Sequence, residues 1–201
     1  MKYILLILCI TLIGCEQDKD QEREQAREYM QAGMFDKAEK IYQDAILDVS
    51  YVDKIYQDED LDDFKRLKDW DKVHLLTFYN DTEQIDKAYV YAYSLSIKTE
   101  VAFYIATETD RVANDYSMMK NHLRAMRMYN KSANLYMTYS NLHEQINCPE
   151  LAISSYKLAY YQAKLGEYLD EAKEYKEAAL KIIDSERCLS NNDVQADKEF
   201  F

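Results

Sequence analysis

Beyond residue 14 the chain contains two glycines, Gly33 and Gly166, and a single proline, Pro149. A fold built from β-strands needs turn residues about every ten positions, and glycine and proline supply most of them. So few of either in 201 residues argue against an all-β protein. Alanine, glutamate, lysine, leucine, tyrosine and glutamine dominate instead, and apolar residues recur at steps of three and four, the period of a helix. The expected fold class is all-α.

The two glycines sit in similar surroundings. After Gly33, the side chains of Phe35, Ala38, Ile41, Tyr42, Ala45 and Ile46 mark one stripe of a helix, and Ala26, Tyr29 and Met30 mark a matching stripe before it. Gly33 is therefore expected between two helices, where a residue with positive φ ends the first without steric cost. Ala26, Ala38 and Ala45 present little bulk, so antiparallel helices can approach to roughly 8–10 Å. Around Gly166 the pattern returns: Ala159 and Tyr161 precede it, and Tyr168, Ala172, Tyr175 and Ala179 follow, with the alanine one place late.

These spacings resemble the tetratricopeptide repeat, a helical hairpin of roughly 34 residues that stacks into a solenoid. Ala26, Tyr29, Gly33, Phe35, Ala38, Tyr42 and Ala45 match each step of that pattern, while Ser50 stands where the family has proline. Weaker copies place Leu61, Phe64, Trp70 and Val73 around Lys68, and Ala113, Tyr116, Ala125, Tyr129 and Ser132 around Lys120. The resemblance implies a helical-hairpin solenoid, an irregular array of about four hairpins. One extra helix, expected near residues 83–107, contains "KAYVYAYSLSIKTEVAFYIA"; a membrane span is a second reading of it, but Lys87, Ser94, Ser96, Lys98 and Glu100 interrupt the run and favour a central covered helix.

The chain opens with Lys2, an apolar run from Ile4 to Ile13, then Gly14 and Cys15. The run is too short for a comfortable bilayer span and reads as a removable export signal. Leu12-Ile13-Gly14-Cys15 resembles the lipobox of bacterial lipoproteins. By that resemblance residues 1–14 are cleaved off, Cys15 carries a diacylglycerol and further acyl chains such as palmitate, and residues 15–21 form a short linker. An ordinary signal peptide with an accidental cysteine is the alternative. Several acyl chains, at ~0.8 kcal/mol per buried methylene, hold a protein durably on a membrane.

Cleavage takes away one lysine and no acid, leaving 24 basic against 37 acidic side chains, a net charge of −13. Such a surface repels nucleic acid and anionic headgroups. Two cysteines remain in the body. Asn147-Cys148-Pro149-Glu150 reads as a helix start, and Cys188 falls just past the second helix of the same hairpin, expected at about 168–187. Antiparallel helices bring those ends together, so Cys148 and Cys188 are expected to form a disulfide worth ~4 kcal/mol on the chain-entropy argument; two unpaired thiols are the alternative. The helical domain is assigned to residues 22–188. Residues 189–201 show no helical stripe and are expected to be a flexible tail on which Phe200 and Phe201 are free to dock.

No catalytic constellation emerges. His74, His122 and His143 lack metal-ligand spacing, Ser94, Ser154 and Ser155 lack a glycine elbow, and the acidic run at 57–63 lacks the glycine of a calcium loop. No metal, cofactor or enzymatic activity is expected. In tetratricopeptide proteins the first helix of each hairpin lines a concave face that takes partner peptides, which by resemblance makes Arg23, Arg27, Asp110, Asn114, Tyr156 and Tyr160 groove candidates. The mix lacks the lysine-asparagine clamp for C-terminal carboxylates. By resemblance to lipidated tetratricopeptide proteins the expected role is a lipid-anchored scaffold at the periplasmic side of the outer membrane, since Glu16 stands where lipoproteins kept at the inner membrane have an aspartate after the lipidated cysteine. Its partner is another envelope protein or peptide of an assembly or secretion machine. An inhibitory immunity- or exclusion-type lipoprotein binding a basic partner is the first alternative, an unrecognised envelope enzyme the second.

Overall fold

The computed structural model describes residues 21–52, 61–143, 149–185, 187–188 and 191–201, and every regular element among them is helical. Helix α1 covers residues 21–31. It is followed by α2 (Phe35–Val52), α3 (Leu61–Asp81), α4 (Ile85–Ser94), α5 (Ala102–Met118), α6 (His122–Leu142), α7 (Glu150–Leu165), α8 (Leu169–Ile183) and α9 (Asn192–Ala196), with a 3-10 turn at Asp197–Phe200. The chain divides into two compact units, Met1–Leu75 and Leu76–Phe201.

Four of the connections are the same turn. Gly33, Glu83, Lys120 and Glu167 have positive φ, at 71, 56, 59 and 63°. In each, the next residue donates its N–H back to the carbonyl five positions earlier: Met34 to Tyr29, Gln84 to Tyr79, Asn121 to Tyr116, Tyr168 to Ala163, at 2.8 or 2.9 Å. The positive-φ residue itself donates three positions back, to Met30, Asn80, Ser117 and Lys164. This is the Schellman helix end, which satisfies carbonyls that the finished helix leaves open. Five residues past each left-handed residue lies a buried alanine, Ala38, Ala88, Ala125 or Ala172. Removing side-chain bulk there lets the second helix of each pair return close to the first.

That register corrects two expectations. Lys68 is not a turn but lies inside α3, and the second turn is at Glu83. The stretch 83–107 is not one helix: α4 ends at Ser94, residues 95–98 run without helix with Leu95 and Ile97 buried and Ser96 and Lys98 exposed, and α5 begins at Ala102. Lys131 of α6 donates to the carbonyls of Tyr93 and Leu95, covering the end of α4. Among the described residues no helix is long and apolar enough to cross a membrane.

Gly166 also differs in its reason for being glycine. Its φ is −90°, and Glu167 is the left-handed residue. Counted from Glu167, Ala172 is in register, which removes the one-place offset seen in the sequence.

In the first unit Arg23 of α1 reaches α3 and binds Asp71, 1 % exposed, through Nη2 at 2.6 Å and Nε at 3.2 Å. Tyr42 of α2 stacks on His74 of α3 at 6.3 Å between ring centres, and Trp70 tilts against the same histidine. Burial, and then the Arg23 guanidinium, push the His74 pKa down.

In the second unit consecutive helices pack together, α5 on α6, α6 on α7, α7 on α8, with α4 against α5 and α6. Asp86 of α4 accepts from Tyr116 of α5 at 2.7 Å and from Arg124 of α6, and Arg124 lies over the rings of Tyr89 and Tyr116 at 5.1 Å. Residues 192–200 are folded where a flexible tail was expected. Val194 joins Ile153, Ile183 and Cys188 in a buried cluster, Lys157 pairs with Asp197 at 2.7 Å, and Tyr160 packs edge-on against Phe200 and Phe201. Cys188 is buried and disulfide-bonded. Cys148, its expected partner, and Cys15 with the whole leader lie outside the described residues.

Candidate functional site

Two helices of the second unit run side by side in the same direction. Ser155 Oγ of α7 donates to the Asp110 carboxylate of α5 at 3.3 and 3.4 Å, and Gln162 Nε2 of α7 donates to Ser117 Oγ of α5 at 2.7 Å. Both contacts join positions 45 residues apart, which requires α5 and α7 to be parallel and in register over two turns. Gln162 Oε1 also meets His122 Nδ1 at 2.8 Å, tying in the start of α6.

Each of these helices keeps one face uncovered. On α5 it is Tyr104, Thr107, Arg111, Asn114 and Met118; on α7 it is Leu151, Ser154, Leu158, Tyr161 and Leu165. Both sets follow steps of three and four, so each is a straight strip along its helix. Their chemistry differs. The α5 strip is polar: Arg111 pairs with Asp81 at 2.8 Å and Glu108 at 2.9 Å, and Asn114 Oδ1 accepts from Tyr129 at 2.6 Å. The α7 strip is apolar, its four large side chains 42 to 49 % exposed.

At the seam between the strips Asp110 is half-buried. Burial raises its pKa to about 6, while hydrogen bonds from Ser132, Ser155 and Tyr136 pull the other way. A carboxyl buried among hydroxyls from two neighbouring helices stays protonated well above its ordinary range.

The sequence-derived groove candidates separate here. Asn114 lies on the exposed α5 strip and Asp110 at its edge. Tyr156 is buried with its hydroxyl donating to Asn134 of α6 at 3.0 Å, and Tyr160 lies under Phe200 and Phe201. Both point off the exposed face of α7 because one residue of helix rotates a side chain by about 100°. Arg23 is taken up by Asp71, whereas Arg27 is exposed and pairs with Glu24 at 3.1 Å. The residues missed were Leu151, Leu158, Tyr161 and Leu165. Their signal was a second apolar stripe on a helix that already had a complete one.

The histidines are packing residues: His74 against Tyr42 and Trp70, His122 on Gln162, and His143 against Tyr139 at 4.4 Å. Among the described residues no group of three histidine, cysteine, aspartate or glutamate side chains could hold a metal ion. No family model matches the chain, and no curated protein matches it.

Proposed function

We propose that this protein is a non-enzymatic, lipid-anchored scaffold: a tetratricopeptide-like solenoid held at the outer membrane through Cys15, facing the periplasm and binding another envelope protein. The observation that carries the reading is the fourfold recurrence of one turn, each followed at the fifth residue by a buried alanine. What a stack of such hairpins offers a partner is the outer surface of its helices. The exposed strip of α5 supplies the recognition chemistry. Tyr104 and Met118 contribute apolar area, and Thr107, Arg111 and Asn114 contribute hydrogen-bonding groups between them.

The test is capture from membranes of the intact protein after light crosslinking, beside a Tyr104→Ala/Asn114→Arg variant. Several envelope proteins recovered with the wild type and lost with the variant support a machine component. A single basic protein in a salt-sensitive one-to-one complex would instead identify an inhibitory lipoprotein, a reading favoured by the net charge of −13 left after cleavage, 24 basic against 37 acidic side chains. Recovery equal for both forms would remove α5 as the recognition surface.

A further inference from the structure

Helix α7 carries two apolar faces. One is used inside the unit, where Ala152, Ile153, Tyr156, Ala159 and Ala163 are buried. The other is the strip Leu151, Ser154, Leu158, Tyr161, Leu165, whose steps of three, four, three and four are those of a seam between two helices. Half-exposed leucines at that spacing, on a helix already held by α6, α8 and the C-terminal segment, form a packing surface that no other described residue of the unit covers.

We propose that a second copy of this chain covers the strip, with the two α7 helices antiparallel and a two-fold axis passing through Leu158. Its three leucines are symmetric about that residue, Leu151 lying seven positions before it and Leu165 seven after. Leu151 of one copy meets Leu165 of the other, the two Leu158 side chains meet on the axis, and the small Ser154, four positions before the axis, falls within one residue of the large Tyr161, three after it, so bulk sits beside a gap across the seam. A two-fold contact demands this self-complementarity, which a strip meant for an unrelated helix has no reason to carry. The flank agrees. Glu150 and Lys164, both exposed and at opposite ends of α7, come beside each other twice in the pair. These contacts offset part of the repulsion between two acidic copies, which at ordinary salt acts over only about 10 Å. Lys157, which falls near the axis, is already neutralised by Asp197. The inference stands apart from the lipid anchor and from the identity of any partner protein.

Site-directed crosslinking tests it in the full chain, in membranes or detergent extracts under mild oxidation. Leu158→Cys is expected to give a covalent dimer on a non-reducing gel well above the wild-type background. Leu151→Cys or Leu165→Cys alone is expected to give none, and the two coexpressed to give a mixed dimer. In the Leu158→Cys background, Glu150→Lys or Lys164→Glu lowers the dimer yield by about threefold, and the two together restore it. A Leu158→Cys yield no greater than wild type overturns the proposal. So does a Leu151→Cys protein that crosslinks by itself, or a doubly exchanged protein that stays as weak as the single variants.

Discussion

The ring of Tyr168 lies over Gly166, with its Cε2 and Cδ2 atoms 2.5 and 2.7 Å from the place where a Cβ on that glycine would stand. The Cβ of His122, at the start of α6, is 3.0 Å from the same place. In the first three turns the aromatic residue precedes the left-handed residue by four positions, as Tyr29, Tyr79 and Tyr116. In the fourth that position is Ala163, and the aromatic, Tyr168, follows the turn instead. Gly166 is glycine because that ring and α6 occupy its side-chain space.

Gly166→Ala should therefore destabilise by about 1–3 kcal/mol through overpacking. Tyr168→Ala in the same background should recover much of the loss, since the ring is the nearest obstacle. Urea unfolding of the two variants measures both, and an unchanged midpoint for Gly166→Ala would refute the packing account.

Gly33 obeys a different rule. Nothing lies within 4 Å of its absent Cβ, yet its φ is +71°. Gly33→Ala should cost about 1–2 kcal/mol from backbone strain alone. The converse change, Lys120→Gly, should stabilise by up to about 1 kcal/mol, because lysine there bears the strain that glycine avoids. Thermal unfolding of the pair should move in opposite directions.

Asp110 sets a pH dependence. Its folded-state pKa, about 6, lies above the ordinary 3.8, so the folded protein holds this proton where the unfolded chain has released it. The stability it contributes is full below about pH 3.8 and is lost as pH rises through about 6. Asp110→Asn should be more stable than wild type at pH 7.5, with the difference shrinking towards pH 4. Equal stability of the two proteins at both values would show that the carboxyl is not desolvated.

Arg23 and Arg27 should respond differently to truncation. Arg23→Ala leaves the buried Asp71 carboxylate without its guanidinium and should cost about 3–5 kcal/mol. Arg27→Ala removes an exposed i,i+3 pair with Glu24 and should change stability by no more than about 0.5 kcal/mol. Chemical denaturation distinguishes them, and similar losses would contradict the assignment of Arg23 to the interior.

The covalent chemistry has its own readouts. Non-reducing digestion should yield Cys188 linked to a peptide containing Cys148, and a link to any other cysteine would rule out the staple across the α7–α8 pair. Cys15→Ser should release the protein from membranes, whereas unchanged sedimentation with them would contradict lipid anchoring.

Helix content and three of the four turns were legible in the amino-acid order. The absence of turn residues excluded strands, three-four spacing marked the stripes, and both glycines fell within two residues of a helix end. Lys120 was placed correctly from Ala113, Tyr116, Ala125 and Tyr129 alone. These are local properties: backbone freedom, side-chain bulk and helical period act within a dozen residues and leave a direct trace in the string of letters. Glu83 carries the same marks, Tyr79 four positions before and Ala88 five after, but with no glycine between them they merge into the apolar run that follows. Tertiary contacts also decided which apolar stripe of α7 faces inward, why the run after Lys87 breaks at Ser94, and how residues 192–201 fold back onto α7 and α8. Each depends on groups from distant helices, Lys131 over the end of α4 or Lys157 and Tyr160 beneath the last residues, and spacing along one helix carries no information about a neighbour that arrives forty positions later.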